Sequence, residues 1–440
     1  MGELMMVLSG TQTGTDPGGG DPGGGDPGGA TYVTSETDIF QQPSIPMVSR
    51  GSSYVDSTFG TTITRISDPR TMSVSPTTTG PYGLLTEYSA YPGCSKNGTY
   101  TAMLCVGSSG GGWYAVYNVA TGARASAFFS GGGTDPECLW DPDDDNVLWY
   151  LNSGWIMKRE FPADTVTQVF RITQPSGTAY SYMRTGEEGR PSNDMRWHCF
   201  MGYMNPRTTA TTGWIVFDRL NNVIYSRRSA VQYTDAIKTT PLTGQFIGIG
   251  DLASNHTVLY DRDLNFVREL HKHASHEDVA VGSDGEEYLV YMSQTGLQIA
   301  QTSNLQCMAR VRISDGQRTI VPGRTSGTDH FPTSALHISG IVSADHPDWV
   351  LVSHYSSVAA NPFIRPGDHE VWLQNFMTGA VKRIAHTHNF PDGVSGSKDY
   401  WAETQATSNW AGDKFFFKSN WNSVDPNKDI STYKIDGSFW

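Results

Sequence analysis

The strongest constraint on the fold is an internal repeat of short polar turns, each followed by a run of apolar, β-branched and aromatic residues. One unit shows the pattern clearly, with Ser283-Asp284-Gly285 before the apolar run 287–291 and Ser314-Asp315-Gly316 later in the same unit. Such turns are typical of β-hairpins, because glycine adopts the positive φ that a tight turn requires. Two turns and about four strands per unit are typical of a β-propeller blade.

The repeat predicts an all-β, seven-bladed β-propeller. Its seven inner strands begin near Tyr88, Asp135, Arg190, Asp235, His276, His337 and Glu403. The last unit ends without an outer strand, while residues 61–66 form a lone strand upstream of the first unit. Placing this N-terminal strand in the last blade closes the ring and removes exposed edges. The alternative, a β-sandwich with appended domains, does not explain the shortened last unit.

The N-terminus has a different composition. Residues 11–29 repeat Asp-Pro-Gly-Gly-Gly, and neither glycine nor proline supports an isolated helix or sheet. We therefore predict a flexible Gly/Asp/Pro-rich arm over 1–30 and a single propeller over 31–440. The regular spacing of the aspartates leaves open a packed or ion-binding arm, and with it self-assembly through the arm.

Charge and hydropathy limit the partners. The net charge is −13 and there is no basic run, so nucleic acid is excluded as a partner. No apolar run is long enough for a membrane span, and the first ten residues form no recognisable signal peptide. The five cysteines are scattered without a CxxC pair, which leaves their redox state open. We expect an extracellular, cell-surface or virion-associated protein whose partner is a polysaccharide or surface glycan.

Histidines indicate where the candidate site lies. Ten of the twelve fall between His271 and His388, which biases the candidate site towards the last three predicted blades. In a β-propeller the inner strands surround a central channel and converge at one end of it. Polar residues at the starts of these strands should therefore meet at that end. These residues are Glu137, Arg190, Asp235, His276, Asp278, His337, Glu403 and Gln405. Imidazoles among carboxylates suit a divalent ion or general-base work. The alternative is a structural network that binds water.

Two arginines are candidates for binding an anionic substrate. Arg190 lies in the frame Gly186–Ser192, whose glycines and proline suit a rigid bidentate clamp on a carboxylate; the alternative is a salt bridge with Glu187 or Glu188. Arg365 lies on an insertion in the sixth unit, where propeller loops often build a ligand rim. We assign Arg365 and Asp235 to substrate binding.

Several segments resemble oligogalacturonate-lyase-type β-propellers and their uncharacterised secreted relatives over about 60–440. They are FGTTITRISD (59–68), GEEGRPSND (186–194), HEDVAVGSDGE (276–286), LHISG (336–340), TGAVKRIAHT (378–387) and ETQATSNWAGDKFFFKSNW (403–421).

The resemblance implies β-elimination on a uronate polysaccharide at a divalent metal, Mn or Ca. It implies that His337 and Gln405 are metal ligands, His276 the base and Arg190 the carboxylate-binding arginine. The chain departs from the family after the glutamine, where residues 406–409 replace expected histidines. This departure favours the alternative function, a non-catalytic glycan-binding or structural propeller of a cell surface, filament or virion.

Overall fold

The computed structural model describes most of the chain after the N-terminal arm. The described residues are 31–72, 83–107, 110–131, 136–174, 176–186, 188–204, 213–229, 236–251, 256–272, 276–293, 307–325, 331–332, 335–355, 365–389, 401–421 and 429–440. The predicted flexible arm, 1–30, lies outside them. In the described part of the chain, no helix is long and apolar enough to cross a membrane.

The regular secondary structure of the described residues is almost entirely β-strand, with a short 3₁₀ helix at Ile341–Ala344. The strands are β1 (Ser53–Val55), β2 (Thr62–Arg65), β3 (Gly83–Leu85), β4 (Tyr100–Gly107), β5 (Gly110–Asn118), β6 (Leu139–Trp140), β7 (Val147–Asn152), β8 (Trp155–Glu160), β9 (Thr165–Arg171), β10 (Tyr182–Arg184), β11 (Trp197–Tyr203), β12 (Gly213–Asp218), β13 (Val223–Arg228), β14 (Ala236–Thr239), β15 (Phe246–Asp251), β16 (His256–Tyr260), β17 (Phe266–Lys272), β18 (Asp278–Val281), β19 (Glu287–Ser293), β20 (Cys307–Arg312), β21 (Arg318–Thr325), β22 (Leu336–Ser339), β23 (Trp349–His354), β24 (Glu370–Asn375), β25 (Val381–His386), β26 (Thr407–Ser408), β27 (Phe415–Ser419) and β28 (Ile430–Asp436).

Consecutive strands build five four-stranded antiparallel blades in the described chain: β6–β9, β10–β13, β14–β17, β18–β21 and β22–β25. The remaining strands form one eight-stranded sheet in the order β1-β2-β28-β3-β4-β5, to which β27 and β26 attach through β28. The fold is therefore an all-β propeller.

The prediction of seven blades is wrong, because the part of the chain that the structure describes forms five blades and one larger sheet. The strands assigned to the first and last blades are joined, since Ile430 and Ser431 of β28 pair in parallel with Gly83 and Leu84 of β3. The N-terminal strand β2 lies in this sheet, antiparallel to the other half of β28. The turn pattern of the sequence identified the strand units but carried no signal for this additional pairing.

Burial falls from the middle strands to the outer strand in the blades that end in β9 and β13, whereas the outer strand β25 is largely buried. Middle strands such as β11 and β12 are buried at every residue, because neighbouring blades cover both faces. The outer strands β9 and β13 are largely exposed. This layering explains why the middle strands are continuous apolar runs, while the polar residues of the sequence concentrate in turns and outer strands.

The segment before β1 is held against the sheet β22–β25. Val33 forms a bridge with Arg383, whose guanidinium donates to the carbonyl oxygens of Ser35 and Asp38 and forms a buried ion pair with Glu370. The fold therefore uses residues from position 31 onwards.

We predict that Ile63→Ala destabilises the protein by about 2–5 kcal/mol, because Ile63 in β2 is fully buried and its truncation leaves a cavity. Val55→Ala in the neighbouring β1 is the control: Val55 is 57% exposed, and its truncation should cost under about 0.5 kcal/mol. Denaturant unfolding of both variants measures the difference. Equal losses would contradict the importance of β2 for the large sheet.

Candidate functional site

Five side chains that are distant in sequence meet at the centre of the propeller. Tyr88 follows β3, His276 precedes β18, His337 lies in β22, Tyr355 follows β23 and Glu403 precedes β26. We call these five residues the central cluster. Each comes from the inner part of its sheet, and the ring of sheets brings these parts together. Tyr88 and Glu403 therefore meet, although they lie at opposite ends of the propeller sequence.

Three polar atoms form the middle of the central cluster. The Tyr88 hydroxyl lies 3.1 Å from Nδ1 of His276 and 3.1 Å from Nδ1 of His337, and the two nitrogens are 3.1 Å apart. The imidazole rings are perpendicular. Two lone pairs facing each other would repel, so at this spacing at least one of the three atoms must donate a proton to another.

The cluster continues on both sides of the histidine pair. Nε2 of His337 lies 3.0 Å from a carboxyl oxygen of Glu403, and Nε2 of His276 lies 3.2 Å from the hydroxyl of Tyr355. Glu403, His337, His276 and Tyr355 therefore form an unbroken row of hydrogen-bonding groups. Below we call this the proton row.

The proton row is accessible at Glu403 and at the His276–Tyr355 pair, and it is closed at His337. His337 is fully buried, whereas His276, Tyr355 and Glu403 are partly exposed, with 18% of the Glu403 side chain accessible. His276 has a φ of +51°, a left-handed backbone conformation that is uncommon outside glycine and recurs at functional sites. A bound molecule can therefore contact Glu403 and the His276–Tyr355 pair but not His337.

Burial sets the protonation states of the row. It lowers the pKa of His276 to about 3, with a further contribution from His337. Burial and then the Lys418 ammonium lower the pKa of His337 well below 6.5. Burial also raises the pKa of Glu403 to about 7, against opposing effects of His276 and Lys418. At neutral pH both imidazoles are therefore uncharged, and Glu403 is close to the midpoint of its titration.

Uncharged imidazoles allow the row to carry a proton. When Glu403 is protonated, it donates to Nε2 of His337, whose Nδ1–H donates to His276, whose Nε2–H donates to Tyr355. When Glu403 is ionised, His337 donates to it through Nε2, and the Tyr355 hydroxyl donates to Nε2 of His276. The two states differ in the direction of every hydrogen bond along the row. The arrangement can thus pass a proton between Glu403 and Tyr355 without forming an imidazolium.

Arg190 was predicted on the rim, but the structure places it in the interior. Its terminal nitrogens donate to the side chain of Asn193 at 2.9 Å and the carbonyl oxygen of Val279 at 2.7 Å. Asp278 lies 3.8 Å from both Arg190 and Lys238, and all three side chains are fully buried. This position leaves no access for a glycan carboxylate, and the contacts tie β14 to β18 and the Arg190 loop.

Gln405 was predicted to bind a metal together with His337. Its amide oxygen instead accepts a hydrogen bond from the ammonium of Lys418, and both side chains are buried. Among the described residues, no group of three or more His, Cys, Asp or Glu side chains is arranged to hold a metal ion. The predicted ligands do not fit a divalent ion, because a positive charge already contacts the oxygen that the ion would need.

The two residues assigned to substrate binding have different outcomes. Arg365 is partly exposed. Burial, His369 and then the charge of Arg365 lower the pKa of His354, the residue before Tyr355. The backbone N–H of Arg365 donates to Asp368 at 2.9 Å. Asp235 lies outside the described residues.

Tyr355 and Lys418 are not among the residues predicted from the sequence, and Tyr88 is predicted only as the start of an inner strand. Lys418 left a signal, because it is a single charge in the apolar strand Phe415–Ser419, where only a paired lysine is tolerated. Tyr88 was placed at an inner strand without a function. Tyr355 follows β23 at a position that no turn or repeat distinguishes.

No protein-family model matches the sequence, and comparison with curated proteins gives no match. Among solved structures, the chain is similar to an oligogalacturonate lyase in complex with manganese, at 13% identity and a TM-score of 0.56, covering 90% of this chain and 98% of that one. It is also similar to an oligogalacturonate lyase from Vibrio parahaemolyticus, at 12% identity and a TM-score of 0.54, covering 91% and 98%. At these identities the likeness shows a shared β-propeller fold.

We predict that Glu403→Gln makes stability less dependent on pH. The folded protein holds the Glu403 proton more tightly than the unfolded chain, because the pKa rises from 4.5 to about 7. The resulting stabilisation is complete below pH 4.5 and is lost as the pH rises through about 7. Between about pH 4.5 and about pH 7, the wild-type protein should therefore lose roughly 2 kcal/mol of folding stability. The glutamine variant should not show this loss. Unfolding measured at both ends of the window gives the difference, and parallel losses would contradict it.

Proposed function

We propose that this protein is a carbohydrate-active propeller that cleaves uronate polysaccharides by β-elimination. The observation that carries the proposal is the proton row, which ends at partly exposed Glu403 and Tyr355 and contains uncharged imidazoles. The shared fold with two oligogalacturonate lyases supports the choice of substrate class. We further propose that the protein is extracellular, displayed on a cell surface or associated with a virion, and that it binds the glycan there.

Elimination requires one group that accepts a proton and one that donates a proton. In the proposed reaction Glu403 is ionised, and Nε2 of His276 takes the proton from the sugar carbon next to the carboxylate. At the same time the Nδ1 proton of His276 passes to Nδ1 of His337 and the Nε2 proton of His337 passes to Glu403, so no imidazolium forms. The bond from the neighbouring carbon to the glycosidic oxygen breaks, and a carbon–carbon double bond forms. Burial keeps the phenol of Tyr355 protonated by raising its pKa, so Tyr355 donates its proton to the departing oxygen. His276 then returns its Nε2 proton to Tyr355 across their 3.2 Å hydrogen bond, while the proton held by Glu403 returns along the row and restores Nδ1–H on His276.

The substrate carboxylate needs a cationic partner, since neutralising its charge makes the adjacent proton easier to remove. Arg365 is the member of the predicted set that suits this role, because it is partly exposed and its charge acts on His354, the residue before Tyr355. Arg190 is excluded from it by burial. No step of the proposed reaction uses a metal.

The second candidate is a non-catalytic glycan-binding propeller. The contact between Gln405 and Lys418 favours it, because the predicted metal ligands are not organised as a metal site. In that case the central cluster would hydrogen-bond a sugar without cleaving it.

We predict that His276→Ala lowers the rate of polyuronate cleavage by about 10²–10⁴-fold, the contribution expected of a general base. Purified protein is incubated with polygalacturonate or alginate, and the ultraviolet absorbance of the unsaturated product is followed. His256→Ala is the matched control, because His256 lies on β16 and pairs with Glu269 outside the central cluster. It should cleave at the wild-type rate.

Binding of the same polyuronates without any unsaturated product would contradict the lyase and support the glycan-binding candidate. Neither cleavage nor binding would contradict both.

A further inference from the structure

We propose that the candidate site works without a metal ion, because the ammonium of Lys418 supplies from within the chain the positive charge that a divalent ion would supply at Gln405 and His337. The inference rests on the proposed function for the role of the site in glycan chemistry. Its claim about metal binding can be tested without any glycan.

The position of Lys418 carries the argument. It lies in β27, paired with β28 in the large sheet, and only 2% of its surface is exposed. Its ammonium donates to the amide oxygen of Gln405, the atom through which a glutamine side chain would bind a metal. The amide nitrogen of Gln405 is buried and has no hydrogen-bond partner in the described structure, so the oxygen end is the one that Lys418 selects.

The charge of Lys418 also acts on the proton row. Burial has the largest effect on both groups, lowering the pKa of His337 and raising that of Glu403. The Lys418 charge acts to lower both values, which indicates that the ammonium lies within electrostatic reach of the buried half of the row. A divalent ion bound by Gln405 and His337 would lie beside this ammonium in a region of low dielectric, where repulsion between like charges is strong. The ammonium and the metal are therefore alternatives.

Lys418 is a positioning residue in this proposal, since its burial prevents contact with substrate. It holds Gln405 and stabilises the ionised form of Glu403. A lysine suits this role because its compact ammonium has three donors and no acceptor. The residues expected to complete a metal site, at 406–409, are Ala, Thr, Ser and Asn, none of which competes with the lysine as a strong metal ligand.

The test is uptake of Mn²⁺, followed by the loss of the electron paramagnetic resonance signal of the free ion. Wild-type protein should leave the signal unchanged. Lys418→Met removes the ammonium and frees the amide oxygen of Gln405, and we expect it to bind Mn²⁺ at least about tenfold more tightly than wild type. Adding His337→Ala to Lys418→Met should remove the uptake. Lys434→Met is the control, because Lys434 pairs with Asp436 at a partly exposed position of the same sheet, and it should behave as wild type.

The outcomes separate cleanly. Uptake of one Mn²⁺ per chain by wild type, lost in His337→Ala, overturns the proposal. The proposal is also overturned if neither wild type nor folded Lys418→Met takes up Mn²⁺, because removal of the lysine then reveals no metal site. If Lys418→Met fails to fold, Lys418→Gln serves as the neutral variant with the same expected gain.

Activity adds an independent readout. If polyuronate is cleaved, the rate should be unaffected by a chelator, and a rate abolished by the chelator and restored by Mn²⁺ overturns the proposal. If no polyuronate is cleaved, the proposed lyase function fails, while the Mn²⁺ measurement still decides the inference about Lys418.

Discussion

The pairing of β28 is the constraint on which the rest of the structure depends. One edge of this strand pairs with β27, and its other edge pairs with β3 in its first half and β2 in its second. Thr432 strengthens the junction, because its hydroxyl donates to the carbonyl oxygen of Leu84 and its backbone N–H donates to the hydroxyl of Ser67. Segments separated by more than 300 residues are thereby fixed side by side, and the ring has no free end at this point.

This closure makes the central cluster possible. Tyr88 follows the strand that pairs with β28, whereas Glu403 precedes the strands that lead to it, so their separation depends on that junction. His276 and His337 come from two consecutive blades and lie between them. Once the four groups are buried together, the low dielectric disfavours charge on the imidazoles and on Glu403. The chemistry proposed for the site follows from these neutral forms. The ammonium of Lys418 is a buried charge that acts on His337 and Glu403.

Part of this arrangement could be predicted from the sequence. Turn chemistry such as Asp284-Gly285 identified the blades, because a hairpin turn is a local property, and the structure gives Gly285 the positive φ that such a turn uses. His276 and His337 were placed at equivalent positions of adjacent units, and the structure brings their Nδ1 atoms to 3.1 Å. The parallel pairing of β28 with β3 could not be predicted, since it depends on two backbones meeting after the whole ring has closed. The burial of Arg190 could not be predicted for the same reason, because it depends on a neighbouring blade. The contact between Lys418 and Gln405 is different, since it joins residues 13 apart around the β26–β27 hairpin, and the single lysine in an apolar strand was its signal.

The proton row is tested most directly by nitrogen-15 NMR of the histidine side chains in wild-type protein, from about pH 5 to about pH 8. Both His276 and His337 should remain uncharged throughout, and the nitrogen that carries the proton should change in both rings together as Glu403 ionises near pH 7. Protonation of either ring to the imidazolium with an ordinary pKa near 6.5, independently of the other ring, would contradict the row.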